Sequence, residues 1–184
     1  MTTFNSIMAL RLATVSEIDI IWSILQQAIA QRKKDGSDQW QNGYPNEQTI
    51  ANDIHNGAGY VVVNNDIIVA YAAIIFGIEP TYNEIKGKWL SNGNYAAVHR
   101  VATSDEFKGK GIATKLFTMI EDLCIGKNVF SIKVDTNFDN APMLKIVKKL
   151  NYTYCGEIFV SGSSRMAYEK LLKEPNSINQ SSSK

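Results

Sequence analysis

Reactive side chains are scarce in this chain of 184 residues: it has two cysteines, Cys124 and Cys155, and two histidines, His55 and His99. No spacing among them matches a metal-ligand set, and two cysteines make no disulfide framework, so no metal site is expected and a reducing compartment fits. An excess of charge of one sign is missing too, since 19 basic against 18 acidic residues leave a net charge of +1. That balance gives no basic face for nucleic acid. No apolar run approaches the roughly 20 residues of a membrane helix. The opening MTTFNSIMALRLAT has no basic region followed by an apolar stretch and a small-residue cleavage site, so no signal peptide is expected. Together these absences predict a cytoplasmic protein with no nucleic-acid or membrane partner. What is present, 45% hydrophobic and 20% charged residues, suits one globular domain able to bury a core.

Periodicity gives the order of elements. Met8–Ala13 reads as a strand. Thr14 and Glu17 form a capping box that opens a helix with Ile18, Ile21, Trp22, Leu25 and Ile29 on one face, ending near Asp35-Gly36. A polar stretch, GSDQWQNGYP, precedes a second helix carrying Ile50 and Ile54 and stopping at Gly57. Tyr60–Val63, the turn Asn64-Asn65-Asp66 and Ile67–Phe76 read as a hairpin. A long connection leads to a strand over Tyr95–Thr103, a helix from Ile112 with Gly126 as its stop, and a strand over Phe130–Thr136. Asn140 caps a fourth helix with Pro142 in its first turn, and Tyr152–Val160 with Arg165–Leu172 closes the chain as a second hairpin. The polar segment 174–184 reads as a disordered tail after a single domain over 1–173. The order predicts a mixed α/β fold of the α+β kind, with about seven strands and about four helices.

The junction SDEFKGKGIATKLF, Ser104–Phe117, places Gly109 and Gly111 at the start of the third helix. A helix N-terminus presents unpaired N–H groups and a positive dipole end. Glycines before it allow a nest of amides and close approach of an anion. The same glycines also suit a plain turn, and both readings stand on these residues alone. A P-loop is excluded because no Gly-x-x-x-x-Gly-Lys-Ser/Thr run exists, and a dinucleotide fingerprint because the third glycine is missing and position 114 is Thr114.

The run AAVHRVATSDEFKGKGIATKLF resembles the central motif of the GNAT superfamily of acyl-CoA-dependent N-acyltransferases, with Lys108-Gly109-Lys110-Gly111-Ile112-Ala113 on the segment that grips the coenzyme A pyrophosphate. DTNFDNAPMLKIVKKLNY is similar to the family's next strand and helix, with Asn140 on its asparagine and Leu150-Asn151-Tyr152 on its Leu-Gly-Phe. The resemblance covers about Tyr95–Tyr168. It implies a mostly antiparallel central sheet, splayed between the fourth and fifth strands, and acetyl-CoA as co-substrate with no metal. Val101, Ala102, Thr103, Lys108, Gly109, Lys110, Gly111, Ile112, Ala113, Thr114 and Asn140 become the cofactor-binding candidates. Three positions depart from the pattern: Lys108 replaces Arg or Gln, Asn151 replaces Gly, and Val147 stands where many members carry a tyrosine thought to protonate the leaving thiolate.

The implied reaction is transfer of an acetyl group to a primary amine of a small-molecule or amino acid-like acceptor. A backbone N–H near Val101, on the strand edge Arg100–Thr103, would face the oxyanion. His99 and Glu79 are the candidate bases, with Tyr95 and Glu84 behind them, because an alkylammonium with pKa near 10.4 cannot attack until deprotonated. His99 also suits a purely structural role, and Glu79 a solvated loop. Trp40, Tyr44 and Tyr82, with Trp89, are candidates for the acceptor wall or for loop anchors. Tyr152 and Tyr154 lie near the vacant tyrosine position, Cys155 has no visible partner base, and Lys145, Lys148 and Lys149 form a basic strip that is either solvated or near a coenzyme phosphate. Two other readings remain: a protein or peptide N-acetyltransferase, and a non-catalytic acyl-CoA sensor. The acceptor itself is not legible, and a homodimer through sheet edges is a further expectation.

Overall fold

The computed structural model describes residues 8–160 and 162–174. The expected tail falls almost wholly outside them, as does Ser161 of the last turn. Among the described residues, eight strands, mostly antiparallel, and four helices make the mixed α/β class expected, with one strand more than foreseen. The chain divides into two compact units. The first draws on residues up to Ile75 and on Val98–Met119, the second on Phe76–Ala97 and the chain from Ile120 onward.

In the first unit the strand order is β1 (Met8–Leu12), β2 (Gly59–Asn64), β3 (Ile67–Phe76) and β5 (Ala96–Thr103). The β2–β3 turn is tight because Asn65 and Asp66 both take left-handed backbone, φ 47° and 67°, the geometry that matches the twist of paired strands. Helix α1 (Ile18–Lys34) is entered through a single 3-10 turn, and α2 (Glu47–His55) through Asn46, whose Oδ1 accepts from the Thr49 N–H at 3.0 Å. Ile21, Ile24 and Leu25 of α1, Ile50 of α2, and Val61, Ile68 and Tyr71 of the hairpin form one buried cluster. Each such aliphatic side chain contributes about 1.5–3 kcal/mol by leaving water.

The second unit has the order β6 (Ser131–Thr136), β8 (Ser163–Leu171), β7 (Thr153–Val160) and β4 (Lys86–Gly87). Strand β4 is the unforeseen one, and it pairs with β7 through a glycine opposite a glycine, Gly87 against Gly156. A Cβ on Gly156 would stand 2.3 Å from the Lys86 carbonyl oxygen, and one on Gly87 would stand 2.1 Å from that of Cys155. Two residues carry no periodic signal, so this pairing was invisible in sequence.

Helix α3 (Ile112–Gly126) stops at the expected residue. Asn128 takes the left-handed conformation, φ 56°, and the Val129 N–H reaches back to the Cys124 carbonyl at 2.9 Å, so the asparagine supplies the left-handed position that follows the helix. Helix α4 (Ala141–Lys149) ends the same way at Asn151, φ 59°, where the Tyr152 N–H donates to the Val147 carbonyl at 2.9 Å. Asparagine tolerates left-handed backbone better than other side chains, which accounts for its presence where the resembling motif has glycine. Among the described residues no helix is long and apolar enough to cross a membrane, and no group of three or more metal-ligating side chains occurs.

The entry to α1 makes a pH-dependent contribution to stability. Arg11 holds Glu17 through two hydrogen bonds, 2.6 and 3.0 Å, and the Thr14 N–H donates to the same carboxylate at 2.8 Å. Arg11 first, and Thr14 with it, lower the Glu17 pKa from 4.5 to about 2. A depressed acid stabilises the fold above its unfolded pKa and loses that contribution as pH falls through its folded value. Solvent screening keeps the effect to about 1 kcal/mol or less. Urea-unfolding midpoints of wild type and Glu17→Gln should therefore differ at neutral pH and converge as pH falls from 4.5 toward 2.

Candidate functional site

The glycine junction of the first unit is sharply bent. Gly109 and Gly111 have φ of 75° and 78°, left-handed values that a side chain strains to adopt. A Cβ on either would meet no other atom within 4 Å, so the backbone demands glycine while the space beyond stays open. Lys108 pairs with Asp105, and the Lys110 ammonium lies 5.0 Å from the Phe107 ring. The first helical bond runs from the Lys115 N–H to the Gly111 carbonyl at 3.0 Å, so the amides of Ile112, Ala113 and Thr114 precede any i−4 acceptor. Glycine-kinked backbone, an open outer side, two lysines and a helix N-terminus suit a phosphate.

The strand before this junction carries an irregularity that sequence reasoning missed. Arg100, mid-strand in β5, has φ 54°, uncommon for a residue other than glycine. Its guanidinium holds Asp53 of α2 through two hydrogen bonds, 2.8 and 2.6 Å, and also donates to the Tyr44 hydroxyl. Asp53 accepts a third bond, 2.7 Å, from the buried Tyr71 hydroxyl. Burial, and then Asp53, push the Tyr71 pKa up. The available signal was an acid between Ile50 and Ile54 on the apolar side of α2. His99 and Val101 flank Arg100, and the bend fixes how the Val101–Thr103 backbone is presented. Tyr44 thus joins the Arg100 network, while Trp40 is half-buried with φ 65°.

In the second unit, Tyr82, Trp89 and Tyr95 come together around a cavity of about 870 Å³. The Tyr82 ring lies 5.1 Å from that of Trp89 and 6.2 Å from that of Tyr95. Tyr82 donates its hydroxyl to Asp135 at 2.8 Å, so it offers the cavity its ring and not its proton. Trp89 is anchored through Nε1 to the Tyr82 carbonyl, 2.9 Å, and the Glu79 N–H donates to the Tyr95 hydroxyl at 2.8 Å. The Glu79 carboxylate accepts from Thr81, and Glu84 is exposed.

The face of β6 opposite Ile132 and Val134 is polar yet buried. Ser131 and Lys133 are each 3% exposed. Alternation alone reads such positions as solvent-facing, which is why none was singled out in sequence. Ser131 donates to Glu169 at 2.7 Å, and Asp135 takes Tyr82 and Arg165. Lys133 lies over two ring faces, 4.0 Å from the Tyr95 centroid and 4.5 Å from that of Trp89. Burial pulls its pKa down, against the opposing pull of Glu169 and Cys155.

The remaining candidates have structural placements. Asn140 caps α4 by accepting from the Met143 N–H at 3.3 Å. Val147 is 1% exposed, an aliphatic side chain facing inward. Burial raises the Tyr152 pKa, and Tyr154 stands half-exposed and edge-on to Tyr168. Cys155 is buried, with its thiol pKa raised by that burial, and Cys124 is pushed up to about 12 for the same reason, so neither favours the reactive thiolate. Lys145, Lys148 and Lys149 are exposed.

The model of the acetyltransferase (GNAT) family matches residues 24–152, well over half the chain. A GNAT-family acetyltransferase from Streptococcus agalactiae is 40% identical, with TM-score 0.83, over 91% of this chain and 96% of that one. A GNAT-family acetyltransferase from Listeria monocytogenes shares the fold at 18% identity and TM-score 0.73, over 94% of this chain and 99% of that one. So does a Salmonella typhimurium protein solved with its cofactor acetyl-CoA, at 14% identity and TM-score 0.65, over 91% and 95%. None of the curated proteins matches.

The Asp53 network predicts a ranked loss of stability. Asp53→Asn removes the charge that Arg100 needs and should cost about 3–5 kcal/mol. Tyr71→Phe leaves that ion pair whole and should cost about 1–3 kcal/mol. Urea unfolding of the two variants checks both the order and the gap.

Proposed function

The chain belongs to the GNAT acetyltransferase family, and from that premise we propose that it transfers an acetyl group from acetyl-CoA to the primary amine of a small-molecule or amino acid-like acceptor, by direct attack. The observation that carries this reading is the paired left-handed backbone of Gly109 and Gly111 immediately before α3, open on its outer side. The amides of Ile112, Ala113 and Thr114, with Lys108 and Lys110, would hold the pyrophosphate. Acetyl-CoA supplies an acetyl group already activated as a thioester.

The chain's own residues then have three tasks. The edge of β5 from Val101 to Thr103 would receive the pantetheine arm as an added strand. The Val101 N–H, beside the bend at Arg100, would donate to the thioester oxygen as negative charge develops there, a contribution of about 3 kcal/mol where such donors have been removed elsewhere. His99, next along the strand, would accept the proton that the acceptor ammonium must lose, with Glu79 as the second candidate. The departing thiolate needs one proton. With Val147 buried and aliphatic, that proton would come from water.

A non-catalytic acyl-CoA sensor is the second reading, and the same Val147 favours it. Free-thiol release from acetyl-CoA with an amine panel separates the two: amine-dependent release supports the enzyme, and binding without release supports the sensor. With His99 as base, the acid limb of the kcat/KM profile should vanish in His99→Ala. An unaltered limb removes His99 from the role.

A further inference from the structure

Asp53 is buried on α2 and holds the Arg100 guanidinium at two of its nitrogens, 2.8 and 2.6 Å. Tyr71 of β3, wholly buried, donates to the same carboxylate at 2.7 Å. The third guanidinium nitrogen meets the Tyr44 hydroxyl. A planar group bonded at all three corners fixes the far end of its own side chain. The near end is the Cα of a left-handed residue in the middle of a strand, φ 54°.

Stability alone accounts for neither feature. A buried ion pair contributes little beyond a well-packed apolar pair, and left-handed backbone at an arginine adds strain. Such strain gathers at functional sites, and here it lies one peptide unit from the proposed oxyanion donor. The planar peptide that follows Arg100 carries the Val101 N–H, so the direction of that N–H turns with the Arg100 backbone. Relaxation of Arg100 to an extended conformation would aim it elsewhere. Every residue of this chain of contacts belongs to the first unit.

We infer that Asp53 and Tyr71 are positioning residues for acetyl transfer: through Arg100 they hold the bend that aims the Val101 N–H at the thioester oxygen. The role rests on the acetyltransferase reading, which makes Val101 the donor. It also separates two functions within one unit. The glycine junction before α3 holds the coenzyme, whereas α2 and β3 set the geometry of transfer, so turnover can be lost while coenzyme affinity stays.

Replacing Asp53→Leu, Tyr71→Phe and Arg100→Met together makes the whole network apolar, so no buried charge is orphaned and the fold should persist. Melting temperature checks this. Amide spectra of wild type and variant are then recorded with coenzyme A and with acetyl-CoA, which differ only in the acetyl group. In wild type the Val101 amide proton should move further with acetyl-CoA, as a hydrogen bond to the added oxygen requires. In the variant that difference should vanish, while the amides of Gly109–Thr114 respond to both ligands as in wild type. With L-amino acids, spermidine and short peptides as acceptors, kcat should fall about tenfold or more, against the roughly hundredfold lost with a whole oxyanion donor, and the KM for acetyl-CoA should hold.

A merely structural network would leave the acetyl-dependent Val101 shift in place, or take the Gly109–Thr114 responses away with it. Either result overturns the positioning role, as does an unchanged kcat. If the triple variant fails to fold, Tyr71→Phe, which keeps the ion pair, is read in the same way, and an acetyl-dependent shift equal to that of wild type overturns the role. A wild-type Val101 amide that answers alike to both ligands removes Val101 as donor, and the positioning role falls with it. Absence of any turnover by wild type fails the acetyltransferase reading instead, and the shift comparison then decides the network's role by itself.

Discussion

A carboxylate taken out of water has to be met by donors, and in each unit one buried acid dictates where a segment lies. In the first, Asp53 collects Tyr71 and Arg100. The Arg100 side chain can reach α2 only from where β5 holds it, and the strand is bent there, at φ 54°. Local strain of this kind persists when surrounding bonds over-determine it, and three hydrogen bonds to one acid do so. In the second, Glu169, wholly buried, draws in the Leu90 N–H, Ser91 and Ser131. That fastens the segment after β4 and closes one side of the aromatic cavity. Neutral donors thus satisfy Glu169.

Signals confined to a few neighbouring residues were legible in the sequence. The Asn140 cap, the Thr14–Glu17 box, the Asn65-Asp66 turn and the glycines at 109 and 111 all lie where short-range chemistry puts them, because each depends on bonds spanning two to four residues. Features made by long-range approach were not. Strand β4 exists only because Gly87 meets Gly156, residues far apart in the chain. Helix α3 ends at Gly126, but the left-handed residue that turns the chain after it is Asn128, because asparagine can take the position that glycine usually fills.

The candidate site divides along the same line. The glycine-kinked backbone proposed to hold the phosphate is a local motif, and its position was readable. The residues that set charge and shape elsewhere were not: Asp53 sits on the apolar side of a helix, and Ser131, Lys133 and Asp135 alternate with Ile132 and Val134 as solvent-facing residues do. Tertiary cover reverses that reading, since a segment with no periodicity of its own lies over them. The proton-transfer end has the weakest signature, because Val147 removes the side chain that would have marked it.

We propose that the backbone from Gly109 to Thr114 receives the pyrophosphate of coenzyme A. Backbone amide chemical shifts followed during a titration with coenzyme A test it most directly. Large, saturable shifts are expected at Gly109, Lys110, Gly111, Ile112, Ala113 and Thr114, with matching titration curves. Saturable binding that leaves those six amides unmoved would contradict it.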